Sequence, residues 1–333
     1  MSAAGPLTLG VDVGGTKIAA GLVDAQGSIL LQTRVPMCAH EDAAMGFAAV
    51  QNAIEAVFAA RPEARARLAG IGICAPGPLD PRTGVVLNPP NVPCWRNFPL
   101  AAEVQRVFHV CAKIDNDANA AALAEAIWGA GVGFRNVFYA TLGTGIGTGV
   151  IFDQRIYHGR TGGAAEGGHV SIDYHGPRCG CGKRGCIEAL CSGPAIALRA
   201  RARLGESNNP SRMRELAGGD LKRLTAEDVA VAFHAGDALA REVLEASADL
   251  LAVWLGNVID LLEPDVAVFG GGVAQLMSEF FPRIQSELPK WSINSRCCEI
   301  PLLLAKYGSD AGIAGAAALC RAVALVRADN TAL

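Results

Sequence analysis

Apolar positions along the chain fall into short runs that are closed by glycine and by polar turns. The run Leu7-Thr8-Leu9-Gly10-Val11-Asp12-Val13 has the length of a buried strand, and two further runs at 18–23 and 28–35 follow across the turn signal Asp24-Ala25-Gln26-Gly27. This spacing predicts an antiparallel three-stranded meander. An Ala-rich stretch with helical period covers 41–60, a buried strand 68–74, a helix 101–108 and another strand 110–114. The same layout begins again after a helix at 119–128: strands 137–142 and 146–152 flank a glycine-rich turn, a long amphipathic helix fills 239–262, a buried strand follows at 266–269, and an Ala-rich helix runs from 309 to 326. Strands alternating with helices predict two α/β lobes, the first covering 1–116 with 309–333 packed back on it and the second covering 117–308.

At 333 residues each lobe has enough chain for its own core, and 51% hydrophobic against 18% charged residues excludes a disordered chain. A formal charge of -3, from 29 basic and 32 acidic side chains, gives no general attraction for nucleic acid or an anionic membrane. The N-terminal run lacks a basic lead and a cleavage site, and the long helix carries Arg241, Glu242, Glu245, Asp249 and Asp260, so a cytoplasmic protein without a membrane span is expected. The 11 cysteines then read as thiols, most of them small buried hydrophobes.

The 39 glycines cluster. Asp12-Val13-Gly14-Gly15-Thr16-Lys17 lies between two expected strands, so its amides and the Thr16 hydroxyl can face an anion; it is neither a Walker A loop nor a dinucleotide fingerprint. Asp12 beside such a loop would repel a phosphate unless Mg2+ bridged the two. Thr141-Leu142-Gly143-Thr144-Gly145-Ile146-Gly147-Thr148-Gly149 is a second hairpin of the same kind, and Gly270-Gly271-Gly272 closes a strand and opens a helix. Asp115-Asn116-Asp117 stands where a strand meets a helix; Asn116 or Asp117 there is either the helix N-cap or a base aimed at a hydroxyl. His169 followed by Cys179, Cys181 and Cys186 is a four-ligand set for zinc, closed and therefore structural.

In this order the motifs at 12–17, 88–95, 115–119, 142–149, 166–169, 179–188 and 270–272 resemble the ROK family of sugar kinases and sugar-responsive repressors, a branch of the actin and hexokinase fold class. The resemblance implies a two-lobed, actin-like α/β fold, with ATP and Mg2+ at Asp12, Gly14, Gly15, Thr16, Lys17, Gly143, Thr144, Gly145 and Gly270, Gly271, Gly272. It implies Asp117 as the base for a sugar 6-hydroxyl, Asn91, Asn116, Glu166, His169 and Glu188 as further sugar ligands, and a zinc loop over 169–188 that shares His169 with the sugar. The loop Asn91-Val92-Pro93-Cys94-Trp95 resembles the glucose-phosphorylating members, so glucose is the expected acceptor; mannose, fructose, N-acetylglucosamine and N-acetylmannosamine stay open as alternatives. A sugar-sensing repressor is a second reading, disfavoured because the first loop starts at Asp12, and an ATPase without a sugar is a third that leaves the zinc set unexplained. The family also implies a homodimer or a dimer of dimers. Gly167 stands where many members carry an aliphatic residue, which predicts a looser loop.

Overall fold

The structure is a computed structural model that describes residues 5–329, with side chains described through 321. Residues 330–333 of the segment expected at the C-terminus lie outside the described residues. In chain order the first elements are β1 (Leu7–Val13), β2 (Lys17–Val23), β3 (Ile29–Pro36), α1 (Ala43–Ala60), β4 (Leu68–Ala75), β5 (Leu79–Asp80), β6 (Val85–Val86), α2 (Leu100–Phe108), β7 (Ala112–Asn116) and α3 (Asp117–Trp128). Next come β8 (Asn136–Leu142), β9 (Ile146–Phe152), β10 (Arg155–Ile156), α4 (Ile187–Cys191), α5 (Gly193–Glu206), α6 (Arg212–Leu216), α7 (Ala226–His234) and α8 (Ala238–Leu262). The last are β11 (Val266–Gly270), α9 (Gly272–Met277), α10 (Phe281–Glu287), β12 (Leu302–Leu304) and α11 (Ala311–Asp329).

Two compact units result. The first takes the described residues up to 135, 149–165 and from 306 onward; the second takes 136–148 and 166–305. The first unit holds a sheet in the order β3-β2-β1-β4-β7, in which β1 and β2 pair antiparallel from Val13↔Ile18, and β4 lies parallel to both β1 and β7. One face is covered by α1, whose Phe47, Val50, Ile54 and Val57 are buried with Leu9, Val11, Ile71 and Ile73 in the core. By length and composition α1 could cross a membrane, yet its buried stripe packs on this sheet. Gly21, Gly10 and Gly72 lie in register across three strands, and a Cβ on Gly10 or Gly72 would fall 2.0 or 1.6 Å from the carbonyl oxygen of Ile313 or Ala316. Missing side chains thus let α11 lie directly on the sheet backbone.

The other sheet runs β10-β9-β8-β11-β12, with β11 parallel to β8 from Val266↔Val137 and to β12 from Ala267↔Leu302. In the second unit α8 is capped by Asp237, whose carboxylate accepts the Ala240 amide at 3.0 Å, and it ends at Glu263 in the left-handed region. Its Trp254 is fully buried against Phe138 of β8.

Candidate active site

In the first unit, parallel pairing of β1 with β4 sets Asp12 opposite Cys74. The Cys74 thiol lies 3.4 Å from Asp12 Oδ1 and 3.3 Å from the Gly312 carbonyl oxygen, and a Cβ on Gly312 would fall 2.4 Å from Asp12 Cγ. Burial pushes the Asp12 carboxyl above its ordinary value, against the pull of the Cys74 thiol, Lys17 and Arg34. After Asp12 the hairpin closes with the Gly14 amide donating to the Lys17 carbonyl at 2.9 Å, while Thr16 and Lys17 stay exposed. Gly15 backs onto the Asn91 carbonyl, 2.6 Å from where its Cβ would stand, so this hairpin and the exposed Asn91 are neighbours. Trp95, fully buried and stacked on Phe98 at 5.4 Å, anchors the Asn91 loop.

Of the two roles open at the β7–α3 junction, Asn116 takes the cap: its Oδ1 accepts the Ala118 amide at 2.9 Å and the Asn119 amide at 3.4 Å. Asp117 is the first helical residue, with Oδ1 accepting the Ala118 amide at 2.8 Å. Its side chain is open to solvent on one side, but the surrounding protein displaces enough bulk water to push its carboxyl up, and the nearby charge of Asp12 pushes the same way. A carboxylate raised by burial and by a second carboxylate suits a base beside a cation site.

In the second unit, Glu188 at the start of α4 reaches back to the β8–β9 hairpin, where Oε2 accepts the Ile146 amide at 2.9 Å. Its Oε1 lies 3.8 Å from His169 Nδ1 and 3.7 Å from Cys179 Sγ. The donor atoms of His169, Cys179, Cys181 and Cys186 all lie within 4.8 Å of one another. Around a tetrahedral Zn2+ with Zn–S bonds of ~2.3 Å, sulfurs stand about 3.8 Å apart. Cys181 and Cys186 are separated by 3.7 Å and Cys179 Sγ and His169 Nδ1 by 3.6 Å, so the donor set fits zinc. Burial pushes the Cys186 thiol up to about 12, and a bound dication would make it a thiolate. Glu166 is exposed at the entry to the turn Gly167–His169. That turn is pinned: the Gly167 amide donates to Thr148 Oγ1 at 2.7 Å and its carbonyl accepts Trp254 Nε1 at 2.9 Å. The loop at Gly167 is thus tied through both its amide and its carbonyl.

The other glycines divide by surroundings. Gly145 packs on Glu188, Gly270 on the Tyr139 hydroxyl, and Gly271, at φ 90°, on the Leu142 carbonyl. Gly143, Thr144 and Gly272 instead line one cavity of about 470 Å³ in the second unit, with Gly193, Pro194, Ala197 and Arg201 of α5 and Thr225 and Glu227 at the start of α7. The Arg201 guanidinium donates to the Leu224 carbonyl at 2.6 Å and keeps a buried Nε without a partner. The α5 and α7 walls carry no motif; their only sequence signals are Gly193-Pro194 and the Thr225/Asp228 capping box. A second group that spacing did not single out is His158 with Asp115, in the first unit, 2.6 Å apart.

With this geometry in place, residues 8–323 match the ROK family. A glucokinase of Halalkalibacterium halodurans is 32% identical over 308 residues, 92% of each chain. An N-acetyl-D-glucosamine kinase of Pasteurella multocida is 29% identical over 324 residues, 93% of this chain and 98% of its own. Among solved structures, a glucokinase of this family from Streptomyces griseus, in complex with glucose and AMPPNP, superposes with a TM-score of 0.78 at 33% identity, covering 95% of this chain and 99% of its own.

Proposed function

The chain belongs to the ROK family, and on that premise we propose that it is an ATP-dependent glucokinase, transferring the γ-phosphoryl group to the 6-hydroxyl of glucose. The observation that carries the reading within the site is the carboxylate pair: Asp117 at the head of α3, its pKa raised in part by Asp12 at the end of β1. Asp117 takes the proton of the sugar hydroxyl as its oxygen bonds to the γ-phosphorus, and the bond to the β–γ bridging oxygen breaks to release ADP. Asp12 would hold Mg2+, which supplies charge neutralisation at the phosphates. The cavity walled by Gly143, Thr144 and Gly272 has room for the nucleoside of ATP, and the glycines of the hairpin would let its phosphates come close to the backbone.

Zinc would be held by His169, Cys179, Cys181 and Cys186 in a structural role. With Nδ1 of His169 given to the metal, its Nε2 would carry the proton and could donate it to a sugar oxygen. Glu188, tied to the Ile146 amide, and Glu166 supply further hydroxyl acceptors. Self-association as a dimer and a reducing, cytoplasmic setting complete the proposal.

The test is coupled ADP release from MgATP with purified protein against glucose, mannose, fructose, N-acetylglucosamine, N-acetylmannosamine and no sugar. Glucose-dependent turnover is expected. Turnover with another sugar alone reassigns the acceptor, and silence with all of them rejects the kinase.

A further inference from the structure

Asp115, at the end of β7, is 3% exposed and carries three contacts. Its Oδ1 accepts the Asn116 amide at 2.8 Å and Asn119 Nδ2 at 3.0 Å, and its Oδ2 stands 2.6 Å from His158 Nε2. Because the partner is a carboxylate, Nε2 carries the proton. Asn116, held through its amide, caps α3 with its own side chain, and Asp117 is the next residue. A line of contacts thus runs from His158 through Asp115, which also pairs with Cys74 in the β4–β7 ladder, and the Asn116 cap to Asp117.

We infer that His158 is a positioning residue of the reaction: by clamping Asp115 it holds the Asn116–Asp117 junction at the setting in which the base meets the sugar hydroxyl. The inference rests on the kinase reading. The clamp is itself fixed, since the His158 carbonyl accepts the amides of Gly162 at 3.1 Å and Ala164 at 3.3 Å. The loop so closed sits on the β5–β6 turn, where a Cβ on Gly162 would fall 2.8 Å from Pro81 Cδ. Two charged groups face the imidazole: Asp115 from β7 and Arg82 from the β5–β6 turn, the latter paired with Asp80 at 3.2 Å. Asp115 outweighs burial and Arg82, so the charged form of His158 persists to higher pH than in an ordinary histidine. A raised histidine gives a clamp fully charged below about pH 6.5 and weakened as pH rises through the shifted value.

The experiment measures kcat, the KM for glucose and for ATP, and the melting temperature of the full chain and of His158→Ala and His158→Gln, from about pH 5.5 to 9. His158→Ala should lose roughly tenfold in kcat while its KM for ATP stays within about twofold. His158→Gln keeps an uncharged donor; it should recover part of kcat and abolish the alkaline decline of the unsubstituted protein. An unchanged kcat in His158→Ala overturns the inference, as does an alkaline decline that persists in His158→Gln, or a loss of activity that only follows the unfolded fraction. Absence of glucose turnover in the unsubstituted protein overturns the kinase reading instead.

Discussion

Two glycine-rich hairpins that look alike in the sequence, 12–17 and 141–149, are built around acids of different origin. In the first unit the acid, Asp12, belongs to the hairpin strand, takes a thiol as its hydrogen-bond donor, and exerts its field on Asp117. In the second unit the acid, Glu188, comes from a helix 42 residues after the amide it accepts, and stands beside the cysteine–histidine cluster. Two carboxylates held near one another suit charge and proton chemistry; a carboxylate tied to an amide and set beside a cysteine–histidine cluster is held in place from two sides. The contrast teaches that a glycine hairpin declares only an approachable backbone, and that its acid partner decides what the hairpin does.

Removing the proposed base is the severest test of this contrast. Asp117→Ala should cut kcat by roughly 10²–10⁴ while calorimetry finds glucose binding within a few-fold of the unsubstituted protein; intact turnover would deprive the first unit of its chemical role. Next in size, Cys181→Ser should abolish bound zinc in elemental analysis and raise the KM for glucose about 10–100-fold, with a smaller change in kcat. Should kcat collapse with KM unmoved, the second unit would be doing chemistry too. Gly272 has open space where a Cβ would stand, so Gly272→Val should fold and intrude on the cavity, raising the KM for ATP about tenfold and leaving glucose alone. The smallest effect has the opposite sign. The Asp117 carboxyl is raised in the folded chain, so ionisation costs stability as pH climbs from the ordinary carboxylate value through the shifted one. Asp117→Asn should therefore melt about 1–3 °C higher at neutral pH while inactive. In the unsubstituted protein the same shift makes activity fall as pH drops through the raised value.

Local signals carried most of the fold. Strands 7–13 and 146–152 lie where the apolar runs place them, because glycine turns close each run, and the long helix differs from its expected start by one residue, with Asp237 as its cap. Asn116 as a cap was likewise legible, its partners being two and three residues away. What escaped depends on partners far along the chain. His158 meets Asp115 across 43 residues, and Trp254 pins Gly167 across 87, a distance at which no spacing argument foretells that this loop is held. The walls of α5 and α7 escaped for another reason: their small residues Gly193, Pro194, Ala197 and Ala226 make space without chemistry, and Arg201, Thr225 and Glu227 among them form no motif.

The row of Gly21, Gly10 and Gly72 under α11 has a consequence for how the protein comes to exist. It seats Ile313 and Ala316 on strands made at the very start of synthesis, and it brings Gly312 against Asp12. A nascent chain emerging from the ribosome can form the first sheet early, but the surroundings of the Asp12 carboxylate are finished only when residue 312 arrives. A chain cut before that point would carry the Asp12 strand without the helix backbone that walls its carboxylate, so the acid would stand in water where the full chain shields it.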